Sequence, residues 1–362
     1  MKSKNPTMTD IARTAGVSQS TVSMILSGKQ LSSFPPATVA KVQEACKALN
    51  YVPRKRNSSK SSRKSKEILV LASKMTNPYY PSMLQSVERE ALRNGLSVVA
   101  CDTYYMPDLE KQYLKMASER DFLAAIFLYA PVNLSALKKY NPLLPVVAIC
   151  DYGKNSTPTD LVELNNLHAG RLAAEHLYAL GHRRYTLLTN TVDGSQSREA
   201  RLVGIQQYLE SVPEPCKIQF LKRKAVSAED AMSDNYDYNT GYQLAQDVSI
   251  YQEGSTAIIA MNDMVALGAM DAVLEKGYRV PEDFSIIGFD NLLYTGLTRI
   301  SLTTVDNHTD LLAKSAMDVL LYRINISNNS PLISETYFKI ECQPRLIVRK
   351  STGPAASAAD DS

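Results

Sequence analysis

Several kinds of chemistry are under-supplied in this chain of 362 residues. Its five cysteines, Cys46, Cys101, Cys150, Cys216 and Cys342, are isolated and odd in number. They show neither metal-ligand spacing nor a disulfide framework and fit reduced, buried thiols in the cytosol. The four histidines form no ligand cluster. His182, in Gly181-His-Arg-Arg between a predicted helix and a predicted strand, reads as a loop residue rather than a ligand or base. No run of 18 apolar residues occurs, so no membrane association is expected. A nucleophile elbow, a phosphate loop, a metal cluster and a dinucleotide fingerprint are all missing, so neither enzymatic turnover nor a metal or cofactor is expected. The polar N-terminus leads directly into a helical pattern and leaves no room for a secretory signal, which points to a cytoplasmic protein. Residues 351–362 are small and polar. They read as a disordered tail without the leucine heptad of a coiled coil.

What is present concentrates near the N-terminus. From Met8 to Pro53 the sequence reads as two short helices meeting at Gly16, a loop, and a third helix ending in Leu49-Asn-Tyr-Val-Pro53. Ile11, Ala12 and Ala15 share one face of the first helix, and Val22, Ile25 and Leu26 one face of the second. Both faces would bury against Val39, Val42, Ala45 and Leu49. Thr7 with Asp10 three residues on resembles a capping box, and Ser18 stands at an N-cap. This is the outline of a helix-turn-helix, whose second helix enters the DNA major groove. The face of that helix opposite the core carries Ser20, Met24 and Ser27, with Gln19 at its edge. An ordinary small helical bundle would share the apolar pattern but not the charge.

Residues 1–66 hold 13 Lys and Arg against Asp10 and Glu44, a net +11, whereas the whole chain carries +3. The rest is therefore about −8, and the near-neutral total averages a basic head with an acidic body. Such a head suits phosphate contacts. Residues 54–66 contain seven basic residues and no apolar one, and read as a linker that cannot bury anything.

From Glu67 onward strands alternate with helices. Ile68–Ala72, Leu96–Ala100, Phe122–Leu128 and Val146–Cys150 are predicted strands of a first set. Tyr185–Leu188, Ile218–Leu221, Ala257–Ala260 and Ser285–Phe289 belong to a second set that begins near Asn166. Continuous apolar runs of this kind form parallel sheets covered on both faces. The expected fold class is therefore an N-terminal all-α helix-turn-helix head plus an α/β core of two doubly wound parallel-sheet lobes. Ligands of such lobes bind beyond the carboxyl ends of the strands.

The motif Asp10-Ile-Ala-x-x-Ala-Gly-Val-Ser-x-x-Thr-Val-Ser23 with Leu49-Asn-Tyr-x-Pro53 resembles the lactose/galactose repressor (LacI/GalR) family. In the body the resemblance extends through Asn77-Pro-Tyr-Tyr80, Gly181-His-Arg183, Arg201-Leu-Val-Gly204, Asn262–Ala269, Ser285–Asp290 and Arg349-Lys-Ser-Thr352. It implies a periplasmic-binding-protein-like core crossed three times by the chain. The expected domains are a head at 1–53, a basic hinge at 54–66 and an effector-binding and dimerisation core at 67–350. Within the core, the N-terminal lobe would comprise 67–161 and 291–322, and the C-terminal lobe 162–290 and 323–350. The resemblance implies an allosteric repressor of carbohydrate genes: a homodimer on a near-palindromic double-stranded operator, controlled by a sugar or sugar derivative. Effector contacts carry over to Tyr79, Tyr80, Asp151, Arg201, Tyr236, Asn262 and Asp290. Carboxylates accept from hydroxyls, Arg donates a planar fork, and an aromatic face covers the C–H surface of a sugar. A capping role is the alternative for Asn262 and Asp290, and a salt bridge for Arg201. DNA contacts carry over to Thr9, Ser18, Gln19, Ser20, Thr21, Ser23, Met24, Ser27, Tyr51, Arg54 and Lys60.

Two departures stand out. Met24 occupies the recognition-helix position of a base-reading Arg, which removes bidentate guanine reading there. Either the operator differs, or Gln19 and Ser20 carry more of the readout. Lys60 stands where the family places a Leu wedge, so minor-groove or phosphate contacts by Lys and Arg replace intercalation. Two rival readings are a sugar receptor without gene control, which the basic head opposes, and an enzyme on a doubly wound fold.

Overall fold

The computed structural model describes residues 7–26, 34–49, 51, 66–142, 144–151, 158–190, 196–226, 230, 233–326 and 336–355. It divides into two compact units, residues 1–63 and 64–362, a boundary inside the predicted linker.

The first unit is built from α1 (Met8–Ala15), α2 (Gln19–Leu26) and α3 (Pro36–Ala48). The capping box forms: Thr7 Oγ1 accepts from the Asp10 amide, and the Asp10 carboxylate accepts from the Thr7 amide at 2.9 Å. Gly16 ends α1 at φ 67°, a left-handed conformation that costs glycine little. Ser18 Oγ then caps α2 by accepting from the Thr21 amide at 3.1 Å. Ile11, Val22 and Val42 are fully buried, with Ala12, Ala15, Ile25 and Ala45 around them. Val39, Leu49 and Leu26 pack half-buried against that core, as the helical periodicity requires.

The second unit runs β1 (Glu67–Ala72), α4 (Tyr79–Arg93), β2 (Ser97–Asp102), α5 (Pro107–Glu119), β3 (Ala124–Phe127), α6 (Leu134–Tyr140), β4 (Val146–Ile149) and β5 (Asp160–Leu164). It continues with α7 (Asn166–Ala179), β6 (Arg184–Asn190), α8 (Gln196–Ser211), β7 (Lys217–Arg223), α9 (Tyr236–Ala245), α10 (Ser249–Gln252), β8 (Ala257–Ala260), α11 (Asp263–Glu275) and β9 (Ser285–Phe289). The chain closes with β10 (Thr303–Asp306), α12 (Thr309–Ile326), β11 (Lys339–Cys342) and β12 (Arg345–Ile347). One sheet has the order β11-β5-β4-β3-β1-β2 and the other β12-β10-β9-β8-β6-β7. Among the described residues every pairing is parallel except β10 with β12. Strands such as β3, β4, β8 and β9 are buried along their whole length because helices cover both faces of each sheet.

The lobe boundaries differ from the sequence expectation. β5 pairs with β4, so 162–164 belong to the first lobe. β10 pairs with β9 and belongs to the second lobe rather than the first. Residues Leu312, Ala313, Ala316, Met317 and Leu320 of α12 pack on the first sheet, and β11 pairs with β5 there. The crossings therefore fall near 165, 307–308 and 343–344. Short, weakly periodic strands such as β10 and β12 carry no pattern that names their sheet.

The tail expectation is also corrected for 351–355. Ser351 Oγ donates to the Ile286 carbonyl at 2.6 Å and accepts from the Thr303 amide at 2.8 Å, tying β9 to β10. The Ala355 amide reaches the Leu180 carbonyl at 2.8 Å. Small polar residues that look featureless in sequence satisfy backbone groups here. Residues 356–362 lie outside the described residues. His182 is more than a loop residue. It is buried, with Nδ1 2.8 Å from Thr256 Oγ1, and Nε2 2.9 Å from Ser285 Oγ and 3.1 Å from the Gly353 carbonyl. Burial holds its imidazole down at about 4, so it is a neutral structural tie.

Candidate functional site

In the head, α2 presents Gln19, Ser20, Ser23 and Met24 at its surface, and Thr9 is exposed on α1. Ser18 and Thr21 are partly engaged by the cap, with Ser18 Oγ 2.7 Å from Ser20 Oγ and 2.8 Å from Thr21 Oγ1. Tyr51 packs half-buried against the head core, which restricts the DNA role expected of its ring. Ser27, Arg54 and Lys60 lie outside the described residues, as does the rest of the expected hinge up to residue 65.

In the second unit, a cavity of about 730 Å³ lies between the lobes. It gathers all seven expected effector residues, Tyr79, Tyr80, Asp151, Arg201, Tyr236, Asn262 and Asp290. The reason is topological. Lys74, Tyr105, Tyr129 and Asp151 follow the carboxyl ends of β1, β2, β3 and β4; Asn190, Asn262, Asp290 and Asn307 end or follow β6, β8, β9 and β10. Parallel strands in both sheets thus deliver their loops to one cleft.

The floor on the second-lobe side centres on Arg201. Its Nε donates to Asn166 Oδ1 at 2.9 Å, and one terminal nitrogen donates to the Met261 carbonyl at 2.8 Å. The other donates to Asn307 Oδ1 at 3.4 Å and lies 4.0 Å from Asp290 Oδ1. The guanidinium also covers the Phe289 ring at 4.6 Å. Asn166 and Asn307 sit at two of the three interlobe crossings, so this arginine ties the floor to the hinge. The salt-bridge role and an effector role coincide in it. Asp290 accepts from Asn307 Nδ2 at 2.7 Å and stands at φ 118°. Burial pushes its carboxyl up to about 6, with Arg201 opposing. It caps no helix. Asn262 does both things: its Oδ1 caps α11 by accepting from the Val265 amide at 2.8 Å, while its Nδ2 donates to Asp237 at 3.1 Å. Beneath them the buried Asp263 accepts from the Thr304 hydroxyl at 2.6 Å and the Leu292 amide at 2.9 Å, bracing the loop that carries Asp290. Gly288 leaves room for that carboxylate, which a Cβ would strike.

Tyr236 lines the cleft but is buried, with Arg223 4.8 Å and Lys74 5.3 Å from its ring centroid. Cations, rather than open space, lie against this ring, unlike the ligand-stacking role expected of it. Asp151 sits opposite at the first crossing, 3.5 Å from Asn166 Nδ2. Tyr79 and Tyr80 meet edge to face at 5.4 Å.

Relatives confirm the assignment drawn from these motifs. The family described as bacterial regulatory proteins, lacI family, matches residues 7–54. A periplasmic binding protein-like domain matches residues 174–352. The HTH-type transcriptional repressor PurR of Mannheimia succiniciproducens is 30% identical over 348 residues, covering 95% of this chain and 98% of that protein. The chain belongs to the lacI family of bacterial regulatory proteins. Its fold is shared with the lac repressor dimer bound to operator and the anti-inducer ONPF, at TM-score 0.64 and 24% identity, over 97% of this chain and 100% of that one. It is also shared with a LacI family transcriptional regulator from Enterococcus faecium with bound ribose, at TM-score 0.65 and 24% identity, over 80% and 99%.

Several cleft residues of this lacI-family regulator escape sequence reasoning. Asp237 accepts from Asn77, Asn190 and Asn262 and lies 3.9 Å from Arg198. Tyr104, Tyr105 and Tyr129 line the first-lobe wall. Asp237 is adjacent to Tyr236 and could have been flagged by that position; nothing in local spacing marks the tyrosines. Among the described residues, no group of His, Cys, Asp and Glu is arranged to hold a metal ion, and no helix is long and apolar enough to cross a membrane.

Proposed function

We propose that this protein is an effector-controlled transcriptional repressor whose interlobe cleft takes a sugar or sugar derivative. The observation that carries the reading is the convergence of Arg201, Asp290, Asn262 and Asp151 with a tyrosine wall in one cleft. This donor and acceptor set with flat apolar faces suits a polyol. The volume falls within the roughly 300–1,000 Å³ of small-molecule sites. The head would read operator DNA through Gln19, Ser20, Ser23 and Met24, with Lys and Arg of residues 54–66 on phosphates. One such helix covers only a short half-site, so a homodimer on a near-palindrome supplies affinity. Closure of the lobes on the effector would alter head spacing. The regulator relatives support regulation rather than turnover, and a cytoplasmic location where bacterial DNA lies.

Genomic fragments selected by the purified full chain should shift in a gel, and sugars used by the neighbouring genes should change that shift. Sedimentation equilibrium should give a dimer, with or without residues 356–362. Failure to retard any selected fragment, or turnover of a sugar by the protein, would reject the reading in favour of a receptor or an enzyme.

A further inference from the structure

The second helix of the head is uncharged inside a strongly basic segment. α2 holds no Lys, Arg, Asp or Glu, although residues 1–66 carry a net +11. The cations of the head among the described residues, Arg13, Lys41 and Lys47, are exposed on α1 and α3. Positive charge for phosphates therefore surrounds α2 without lying on it. Whatever this helix reads in a groove, it reads with neutral groups.

Part of its hydroxyl capacity is already engaged. Ser18 Oγ accepts from the Thr21 amide at 3.1 Å and lies 2.7 Å from Ser20 Oγ and 2.8 Å from Thr21 Oγ1. Ser20 thus meets a base with one hydrogen bond of its hydroxyl made inside the cap. Met24, one turn beyond Ser20 on the same face, is of a different kind. It is 39% exposed, and no other large apolar side chain among the described residues of the head is exposed. Its neighbours Val22 and Ile25 turn inward to the core.

An apolar side chain in the major groove has one complementary group there. Base edges present hydrogen-bond donors and acceptors, to which thymine adds a C5-methyl. A thioether donates no hydrogen bond and accepts weakly, so against a purine edge it would displace water without replacing its bonds. Against a methyl it buries apolar surface on both sides, and its unbranched chain adapts to the contact. We propose that Met24 is a specificity-determining residue that reads the C5-methyl of a pyrimidine in each operator half-site. This rests on the operator-binding reading above. Thymine carries that methyl, and 5-methylcytosine carries it at the same ring position.

Gel-shift titration of the full chain on a symmetric operator selected from random DNA tests it. Each thymine is replaced in turn by deoxyuridine, which deletes the methyl and keeps every hydrogen-bonding atom. At one position affinity should fall about fourfold per half-site, as expected for one buried methyl, and about tenfold or more when both half-sites are changed. Met24→Ala should shrink that loss to within about 1.5-fold, whereas Met24→Leu, which keeps an apolar chain, should preserve it. Selection repeated with Met24→Arg should place guanine at that base pair. A loss with deoxyuridine that depends on Met24 identifies thymine as the source of the methyl. A gain of similar size when a cytosine becomes 5-methylcytosine, also dependent on Met24 and without a deoxyuridine effect, identifies the methylated base. Neither effect, effects that persist in Met24→Ala, or an unchanged base preference in Met24→Arg overturns methyl reading and leaves operator binding standing. Failure to retard any selected fragment overturns operator binding and this inference with it.

Discussion

Asn77 Nδ2 donates to Asp237 Oδ2 at 2.8 Å, joining the first lobe to the second across the cleft. Asp237 is also held by Asn190 and Asn262, so its position is fixed by its own lobe. Asn77 is fixed in turn, because its Oδ1 accepts from the Tyr79 amide at 3.0 Å at the start of α4. The pair acts as a latch between two prepositioned groups, with the hinge ties of Arg201 at the other side of the same cleft.

Asn77→Asp separates the two jobs of that side chain. The acceptor for the Tyr79 amide is kept, while the donor becomes a carboxylate facing Asp237. A hydrogen bond to a charged group is worth about 1.5–3 kcal/mol, and here it becomes a repulsion. Small-angle scattering of the ligand-free variant should show a larger radius of gyration than wild type. An unchanged scattering curve would mean that the latch does not hold the lobes.

Asp290→Asn tests the floor. Asn tolerates a positive φ, accepts through one oxygen and carries no charge. Effector affinity should fall at least about tenfold, the low end for a charged hydrogen bond, with operator affinity nearly intact. The pH dependence follows from the sign of the shift. Burial raises the Asp290 carboxyl from 3.8 to about 6, so its protonated form is favoured by folding. That stabilisation is complete below the unfolded value and is lost as pH rises through about 6. Between pH 4 and 7, wild type should therefore lose thermal stability relative to the variant. Parallel melting curves across that window would show that Asp290 does not titrate there.

Gly204→Ala probes the packing of α7 on α8. A Cβ at Gly204 would overlap the Leu167 carbonyl, just as one at Gly170 would overlap that of Arg201. Denaturant unfolding should show a loss of about 1–3 kcal/mol, the usual cost of overpacking. A variant as stable as wild type would show that the helices separate freely, and Arg201 with them.

The basic linker gives a fourth expectation, drawn from sequence. Each phosphate contact contributes about −0.9 to the slope of log K against log salt, so replacing Lys60 and Lys64 with Ala should flatten it by up to about two. Specific and non-specific sites should weaken alike. The central operator bend should be small, because the linker has no apolar wedge. A sharp central kink in a circular-permutation gel, abolished by one linker substitution, would reveal an intercalating side chain.

The head was legible because its determinants are local: a capping box closes over three residues, a glycine turn over one, and helical periodicity over two turns. Strand identity in the body was legible for the same reason, since buried parallel strands are continuous apolar runs. Sheet membership was not. β10 and β11 were expected in the opposite lobes, because hydrogen bonding to β9 and β5 is a relation across 16 and 178 positions of sequence at the paired residues Thr303 with Ile287 and Lys339 with Leu161. The tail shows the same limit: Ser351 becomes structural only when Ile286 and Thr303 stand on either side of it.

By itself, then, the sequence determined a basic three-helix DNA-reading head, an acidic α/β body and the strand-end residues that line the cleft. The tertiary structure decided which of those residues act together. Arg201 meets Asn166, Asn307 and Asp290 only because the second lobe packs α7, α8 and the ends of β9 and β10 around one floor. Tyr236 looked like a platform in sequence and became a ring flanked by Arg223 of its own lobe and Lys74 of the other. Periodicity and capping are short-range and written in consecutive residues. The composition of a cleft is set by packing between elements far apart in the chain, where no local pattern records the partner.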